Sequence, residues 1–256
     1  MKDYNLTRFF FITAFSSGVE LVFTYPLVAS IVVMQTYKVG FYRAFIKQYQ
    51  QGLFMGFKPA LSAKLLARFS GLALGDGLVG NSKDFPLIIA GATIAGVVEA
   101  VATNYHITKS RLLVASKEDL QALRLRRAAL HAVPPHAIKN CCLYLPMFSI
   151  TRYGGSHLKE NHQTSESVSK PLLAAMTGIL MQPVTTLADN WMTVKMLRTY
   201  RGGNIQAKYI FKDLLAMSWK QNVRILSARA LLSGLSYGIY YASKDICEKI
   251  HQSMTP

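Results

Sequence analysis

Thr24-Tyr25-Pro26-Leu27-Val28 is the first of three similar segments that together predict the fold of this chain. Each segment lies at the end of a long apolar run and is followed by a basic stretch. The second is centred on Asn104, within Thr103–Arg111, and the third on Pro183, within Gln182–Thr186. These three centres, which we call the pivots, lie about 78 residues apart. A fixed spacing of this kind predicts three copies of one structural unit.

The composition favours a membrane protein. Of the 256 residues, 51% are hydrophobic and 16% are charged. Six long stretches carry few charges, at residues 9–35, 53–80, 86–105, 128–151, 171–194 and 225–243. Each can supply the ~20 apolar residues that a helix needs to cross a bilayer. We therefore predict an all-α membrane protein with six transmembrane helices, and a soluble α-helical protein is the less favoured alternative.

Positive charge is concentrated in the connecting segments. The chain has 29 Lys and Arg against 13 Asp and Glu, which gives a net charge of +16. Residues 35–59, 109–134 and 188–224 hold 17 of these 29 basic residues, whereas the linkers at 77–87 and 152–171 hold four. The positive-inside rule then places the three long connections on one side and both termini on the other. Anionic lipid is the expected partner of this charge, and nucleic acid is not, because no nucleic-acid-binding motif is present.

Each long connection is expected to contain a short surface helix. Residues 41–50, 118–128 and 205–217 mix apolar and basic positions at helical spacing, which is typical of helices in the membrane interface. The predicted unit is a spanning helix, a short surface helix and a second spanning helix. Three such repeats cover about residues 1–80, 81–160 and 170–256 of a single domain, 1–256, and the polar stretch Lys159–Lys170 is predicted to be an exposed linker.

The three segments resemble the signature of the mitochondrial carrier family. In that family each odd-numbered helix ends in Pro-x-(Asp/Glu)-x-x-(Lys/Arg)-x-(Lys/Arg)-x-Gln after a glycine-rich approach. Here Ser17–Pro26 leads to Gln35, Gly91–Glu99 leads to Asn104, Lys109 and Arg111, and Ala175 leads to Gln182-Pro183. Gly52–Pro59 is similar to the family's entry into an even-numbered helix.

The resemblance covers nearly all of the chain. It implies three pseudo-threefold repeats in the mitochondrial inner membrane, with both termini on the intermembrane-space side. It also implies transport of small metabolites or anions by alternating access, and contact with anionic lipid such as cardiolipin.

The chain departs from the family pattern where the gates are expected. The acidic motif positions hold Val28, His106 and Thr185, and the basic positions hold Ile31, Lys109 and Ala188. The family's ring of three salt bridges is therefore not expected to form, and His106 is a poor replacement for an anion. On the opposite side only Asp76 and Asp245 remain of the acidic gate, without basic partners. They are interpreted as solvated helix-end residues, with a gate role as the alternative.

In the family, substrate contacts lie about three turns before the acidic gate positions, and the resemblance implies the matching residues here. They are Lys64, Lys139, Asn140 and Ser233. Lys139 with Asn140 is the best candidate for binding an anion, because an intramembrane lysine is costly unless it faces water or a ligand. In the alternative, Lys139 extends toward the membrane surface. Arg68 is a second intramembrane cation, and Glu20 and Glu99 are its candidate interhelical partners.

No enzymatic site can be recognised in the sequence. Cys141, Cys142 and Cys247 lack the spacing of metal ligands, and no phosphate-binding loop or nucleophile triad is present. We expect neither a cofactor, nor a metal, nor enzymatic activity. Two functions therefore remain. One is a transporter, and the other is a transport-inactive subunit of a large inner-membrane complex of the respiratory type, which the lost gate residues favour.

Overall fold

The structure is a computed structural model that describes residues 6–73, 78–79, 84–116, 120–162 and 166–254. These residues are almost entirely helical and contain no β-strand. The predicted all-α fold is thereby confirmed.

Nine α-helices account for most of the described residues. They are α1 Leu6–Tyr37, α2 Phe41–Gln51, α3 Phe57–Ala67, α4 Phe85–Ser116, α5 Ala122–His162, α6 Glu166–Leu180, α7 Gln182–Tyr200, α8 Ala207–Leu215 and α9 Trp219–Met254. A π-helical stretch, Arg68–Ala73, continues α3.

The long helices pack side by side in a closed ring. α1 packs on α3, α3 on α4, α4 on α5, and α5 on both α6 and α7. α9 then contacts α6 and α7 on one side and α1 on the other, which closes the ring. Since α6 and α7 are separated only by Met181, the ring consists of six helical units. The short helices α2 and α8 pack on α1 and α7.

Two helices are apolar and long enough to cross a membrane, by length and composition alone. They are Phe11–Tyr37 in α1 and Phe85–Ala115 in α4, among the residues that the structure describes. The other four predicted spans contain charged residues that lower their hydropathy, namely Lys64, Arg68, Lys139, Asp189 and Arg229. Six spanning helices therefore stay a prediction.

Burial in this bundle differs in two respects from that in a typical soluble protein. Glu20 and Asp189 are fully buried, whereas Phe23 is 70% exposed and Leu187 is 69% exposed. Soluble proteins rarely bury acidic residues completely and usually cover residues as large as phenylalanine. An apolar outer surface around a charged interior suits a bilayer, because lipid solvates the former and the bundle shields the latter.

The second repeat differs from the prediction in two places. Residues 122–128, expected to belong to a separate surface helix at 118–128, form the first turns of α5 instead. The predicted linker is also largely helical, since α5 continues to His162 and α6 begins at Glu166. Residues 122–128 are rich in Ala, Leu and Arg, which are strong helix formers, so no residue there ends the helix. Among the described residues, α2 and α8 are the separate helices that match the predicted surface helices.

The three pivots adopt three different local structures. α1 continues through Pro26. Pro183 lies in the first turn of α7, just after the break at Met181, where its missing N–H removes no helical hydrogen bond. Asn104 lies within the uninterrupted α4, and its amide nitrogen donates to the carbonyl of Ala129 in α5. The second pivot therefore connects two helices.

Candidate functional site

A single carboxylate in the bundle interior holds three cations. Asp189 of α7 accepts two hydrogen bonds from the guanidinium of Arg111 in α4, at 2.7 and 3.0 Å. It also pairs with Arg229 of α9, and the Nζ atom of Lys139 in α5 lies 3.6 Å from its Oδ1. Gln35 of α1 donates to Oδ2 at 3.3 Å. These five residues, which we call the Asp189 cluster, join the five helices α1, α4, α5, α7 and α9.

The Asp189 cluster has more positive than negative charge. Its three cations share one carboxylate, so the cluster carries a net charge of +2. Two buried donors have no hydrogen-bond partner among the described residues, namely Nε of Arg229 within the cluster and Nδ2 of Asn140, the residue that follows Lys139 on α5. Unbalanced buried charge and unpaired buried donors are both costly. An anion with several oxygen atoms would satisfy both deficits.

A second charged cluster lies between α1, α3 and α9. Glu20 pairs with Lys64 and with Nη2 of Arg68, the latter at 3.2 Å. Ser236 of α9 donates to the same carboxylate, and Lys64 donates to Ser236 at 3.2 Å. We call these four residues the Glu20 cluster. It confirms that Glu20 is an interhelical partner of Arg68.

Glu99 lies between the two clusters. It is buried in α4 and accepts a hydrogen bond from Tyr144 of α5. Electrostatic interactions connect it with Lys139 of the Asp189 cluster and with Arg68 and Lys64 of the Glu20 cluster. The interior charges therefore form one network across the ring.

A cavity of about 230 Å³ opens between α1, α3, α4 and α9. Lys64 and Arg111, one from each cluster, reach its wall together with the hydroxyl-bearing residues Ser110 and Ser236. The remaining wall is mainly apolar. The interior near the pivots is packed by fully buried apolar side chains, including Ile31, Met34 and Met192.

The structure brings several of the predicted site residues together. Gln35, Arg111 and Lys139 belong to the Asp189 cluster, Asn140 is buried beside it, and Lys64 belongs to the Glu20 cluster. Lys139 extends toward Asp189, into the bundle, and not toward a helix end. The alternative of an outward-extending Lys139 is therefore wrong for this structure. Ser233 is half-buried, and the serine that contacts the charges is Ser236, one turn later.

The predicted gate positions contribute little to these contacts. Lys109 is half-buried and forms no ion pair with any described residue, and His106 is half-buried beside Tyr105. The hydroxyl of Thr185 donates to the carbonyl of Met181, four residues earlier in the chain. Asp245 lies in α9. Asp76 lies outside the described residues.

Three residues of the site were not found from the sequence. Asp189 lies one residue after Ala188, the basic position of the third motif, so the motif spacing excluded it. Arg229 belongs to no motif, and neither does His136, a buried residue one turn before Lys139 on α5. A usable signal existed for Asp189, because it is the only acidic residue in the apolar stretch 171–194, and an isolated intramembrane acid usually has a function.

The fold and the site define a class of protein but not a family. Among the described residues, no three side chains of the metal-ligating types come together. No family model matches the chain, and no match was found among curated proteins or solved structures. The class is therefore an all-α protein with apolar helices able to span a membrane and a charged interior. The relation to mitochondrial carriers rests on the sequence motifs alone.

Proposed function

We propose that this chain is a divergent, carrier-like protein of the mitochondrial inner membrane that transports a small anion by alternating access. In this proposal six helices span the membrane in three pseudo-threefold repeats, and both termini lie in the intermembrane space. The single observation that carries the proposal is the excess of cations over carboxylates around Asp189. The proposed transport leaves the substrate chemically unchanged.

The positions of the cations support binding at the centre of the ring. Arg111, Lys139 and Arg229 come from α4, α5 and α9, so an anion between them would contact three different helices. Asn140 adds an unpaired donor beside Lys139. Anionic lipid such as cardiolipin would occupy the basic outer ends of the bundle, separately from this interior site.

Competition between the substrate and Asp189 supplies a mechanism for alternating access. Without substrate, Asp189 holds Arg111 and Arg229 and thereby joins α4, α7 and α9. An incoming anion takes over part of these contacts, so the helices separate at a lower free-energy cost. A ligand drives such a change only when it binds the two states with different affinity, and release of the Asp189 contacts provides that difference.

Uptake measurements test this function. The purified protein is reconstituted in liposomes, and uptake of labelled phosphate, sulfate and malate is compared for the wild type, Lys139→Ala and Lys208→Ala. Lys208 lies on the short helix α8 and is the matched control. We expect uptake of at least one anion that is lost in Lys139→Ala and retained in Lys208→Ala. Absence of uptake by the wild type, or unchanged uptake by folded Lys139→Ala, contradicts the proposal.

A specific observation favours the second candidate, a transport-inactive subunit of a large inner-membrane complex. Asp189 fixes five helices in one arrangement, and the gate positions Val28 and Ile31 offer only apolar contacts. Such a bundle would favour one state permanently. Extraction in mild detergent, followed by size analysis and mass spectrometry, separates the two functions. A stoichiometric large complex supports the subunit, and a monomer that exchanges anions supports the transporter.

A further inference from the structure

The buried imidazole of His136 has a defined tautomer. His136 lies in α5 with 1% of its surface exposed, and its Nδ1 atom is 3.2 Å from Oδ1 of Asn104. The amide nitrogen of Asn104 donates to the carbonyl of Ala129, so the oxygen of that amide is the atom that faces His136. A carbonyl oxygen can only accept, and therefore Nδ1 of His136 carries the hydrogen and donates it.

This tautomer leaves a buried acceptor at the other ring nitrogen. With the hydrogen on Nδ1, Nε2 of the neutral imidazole carries a lone pair. Nε2 is buried and has no hydrogen-bond partner among the described residues. Unpaired buried polar atoms are uncommon in folded proteins, and each calls for a ligand, a water molecule or another explanation.

The unpaired acceptor lies beside the Asp189 cluster. His136, Lys139 and Asn140 are spaced i, i+3 and i+4 along α5, so they share one face of the helix. Charges of Lys139, Arg111 and Asp189 act on the imidazole. The site therefore combines three cations, unpaired donors on Asn140 and Arg229, and one unpaired acceptor.

We propose that the site selects a small oxyanion that still carries a hydroxyl hydrogen. The hydroxyl donates to Nε2 of His136, and the charged oxygens accept from Lys139, Asn140 and Arg229. A fully ionised oxyanion has no hydrogen to donate. Its oxygen lone pairs would face the lone pair of Nε2 and be repelled by it. Asn104 is the positioning residue, because it fixes the tautomer. The inference rests on the proposed anion transport and narrows its substrate class.

Two kinds of small anion share this chemistry, namely hydrogen phosphate and the 2-hydroxycarboxylates. Two matched pairs distinguish them. Phosphate and sulfate are both tetrahedral and similar in size, but at neutral pH only phosphate retains a hydrogen. Lactate and propionate are both monocarboxylates, but only lactate has a hydroxyl group. Binding of each to the purified full-length protein in detergent can be measured by isothermal titration calorimetry.

We expect the hydroxyl-bearing member of at least one pair to bind about tenfold tighter or more, because sites built around a hydroxyl strongly reject analogues that lack it. The pair that shows the preference identifies the kind of anion. Equal affinities within both pairs overturn the hydroxyl selection but leave anion transport standing. Absence of binding by all four anions overturns the selection, and the separate uptake assay then decides on transport.

Three variants locate the selection at His136. His136→Leu should reduce the affinity of the preferred anion to that of its hydroxyl-free partner. His131→Leu, the same change one and a half turns earlier on α5, should leave the ratio unchanged. Asn104→Leu retains His136 but removes the acceptor that holds the hydrogen on Nδ1. The ratio of the two affinities should therefore fall, but by less than in His136→Leu. The ratio within a pair is the readout, since a general loss of packing would weaken both members alike.

An unchanged ratio in a folded His136→Leu protein overturns the assignment. Folding is checked by helical circular dichroism and by size-exclusion profile. If His136→Leu does not fold, the wild-type ratios and the Asn104→Leu ratio decide, and an unchanged ratio in Asn104→Leu then contradicts the proposal.

Discussion

Asp189 is the one carboxylate that forms ion pairs with Arg111, Lys139 and Arg229 among the described residues. It is fully buried, and the side chains of its three cationic partners are only 13–19% exposed, so water can compensate these cations only in part. Removing one member of a buried ion pair costs far more than removing an exposed member, because the remaining charge stays buried without compensation. The contribution of Asp189 to stability is therefore expected to be large.

Asp189→Asn should lower the free energy of unfolding by about 3–5 kcal/mol, since three buried cations lose their counterion. Asp213→Asn is the matched control, because Asp213 pairs with Arg198 on the surface and its side chain is 39% exposed. The control should change stability by less than about 1 kcal/mol. Thermal unfolding of both variants in the same detergent measures the difference. Equal effects would show that the interior cations do not depend on Asp189.

At the scale of residues, the sequence predicted which cations lie in the interior better than it predicted the residues with which they pair. Lys64, Arg111 and Lys139 are recognisable because cations are rare inside apolar stretches. Asp189 and His136 were missed because their roles depend on how far each helix is rotated about its axis. Residue spacing defines which side chains share a face of one helix, but not which faces of two helices meet. The Asp189–Arg111 contact joins residues 78 positions apart.

At the scale of helices, close backbone approach defines the α4–α5 interface. A Cβ atom added at Gly96 of α4 would lie 2.7 Å from Sγ and 2.8 Å from the backbone nitrogen of Cys141 in α5. The Cys141 backbone cannot move aside without shifting α5. Small residues at this interface therefore allow the polar contacts of Asn104 and Glu99 with α5 to form.

Gly96→Ala should destabilise the protein by about 1–3 kcal/mol, because the new methyl group forces α4 and α5 apart. Gly18→Ala in α1 is the matched control, since a Cβ atom at Gly18 meets no other atom within 4 Å. The control should be neutral or slightly stabilising, because alanine favours helix more than glycine does. Thermal unfolding of the two variants provides the comparison. A loss of stability in Gly18→Ala of the same size would contradict this explanation.

The surface helix α8 is held to α7 by an ion pair that depends on pH. Arg198 donates to Oδ1 of Asp213 at 2.9 Å, and this hydrogen bonding holds the pKa of Asp213 below its usual value. A carboxyl group with a lowered folded-state pKa adds stability above its unfolded pKa, about 4, and loses it as the pH falls further.

The difference in melting temperature between the wild type and Asp213→Asn should therefore be small but constant near neutral pH, and should vanish under acidic conditions. Melting curves at a series of pH values test this. A difference that grows as the pH falls would have the wrong sign for a lowered pKa.

The prediction of helices from the sequence was accurate where apolar runs were long and was wrong where it depended on helix ends. Apolar stretches gave the approximate positions of the long helices, and amphipathic spacing gave α2 and α8. The expected separate helix at 118–128 fuses with α5 because no proline or glycine separates it from the apolar run. Polar residues alone do not end a helix, as the helical residues of the predicted linker also show.

At the scale of the whole molecule, the ring closes because the first and last helices pack together. α1 and α9 are in contact although nearly 200 residues separate them along the chain, and Gln221 of α9 donates to the carbonyl of Met34 at 3.0 Å. Closure encloses the ion pairs of Glu20 and Asp189 between the helices. If each of the six units of the ring spans the membrane, both ends of the chain lie on the same side, which makes the topology testable.

Labelling of single cysteines from one side of sealed membrane vesicles distinguishes six spans from two. In a background without the native cysteines, Arg43→Cys, Asp84→Cys and Lys208→Cys are placed in three connecting segments. With six spans, positions 43 and 208 lie on one side and position 84 on the other. If only α1 and α4 cross, positions 43 and 84 share a side and position 208 lies opposite. We expect the first pattern, because Lys64 of α3, Lys139 of α5 and Arg229 of α9 form ion pairs inside the ring. The second pattern would rule out the threefold arrangement and, with it, the carrier-like function.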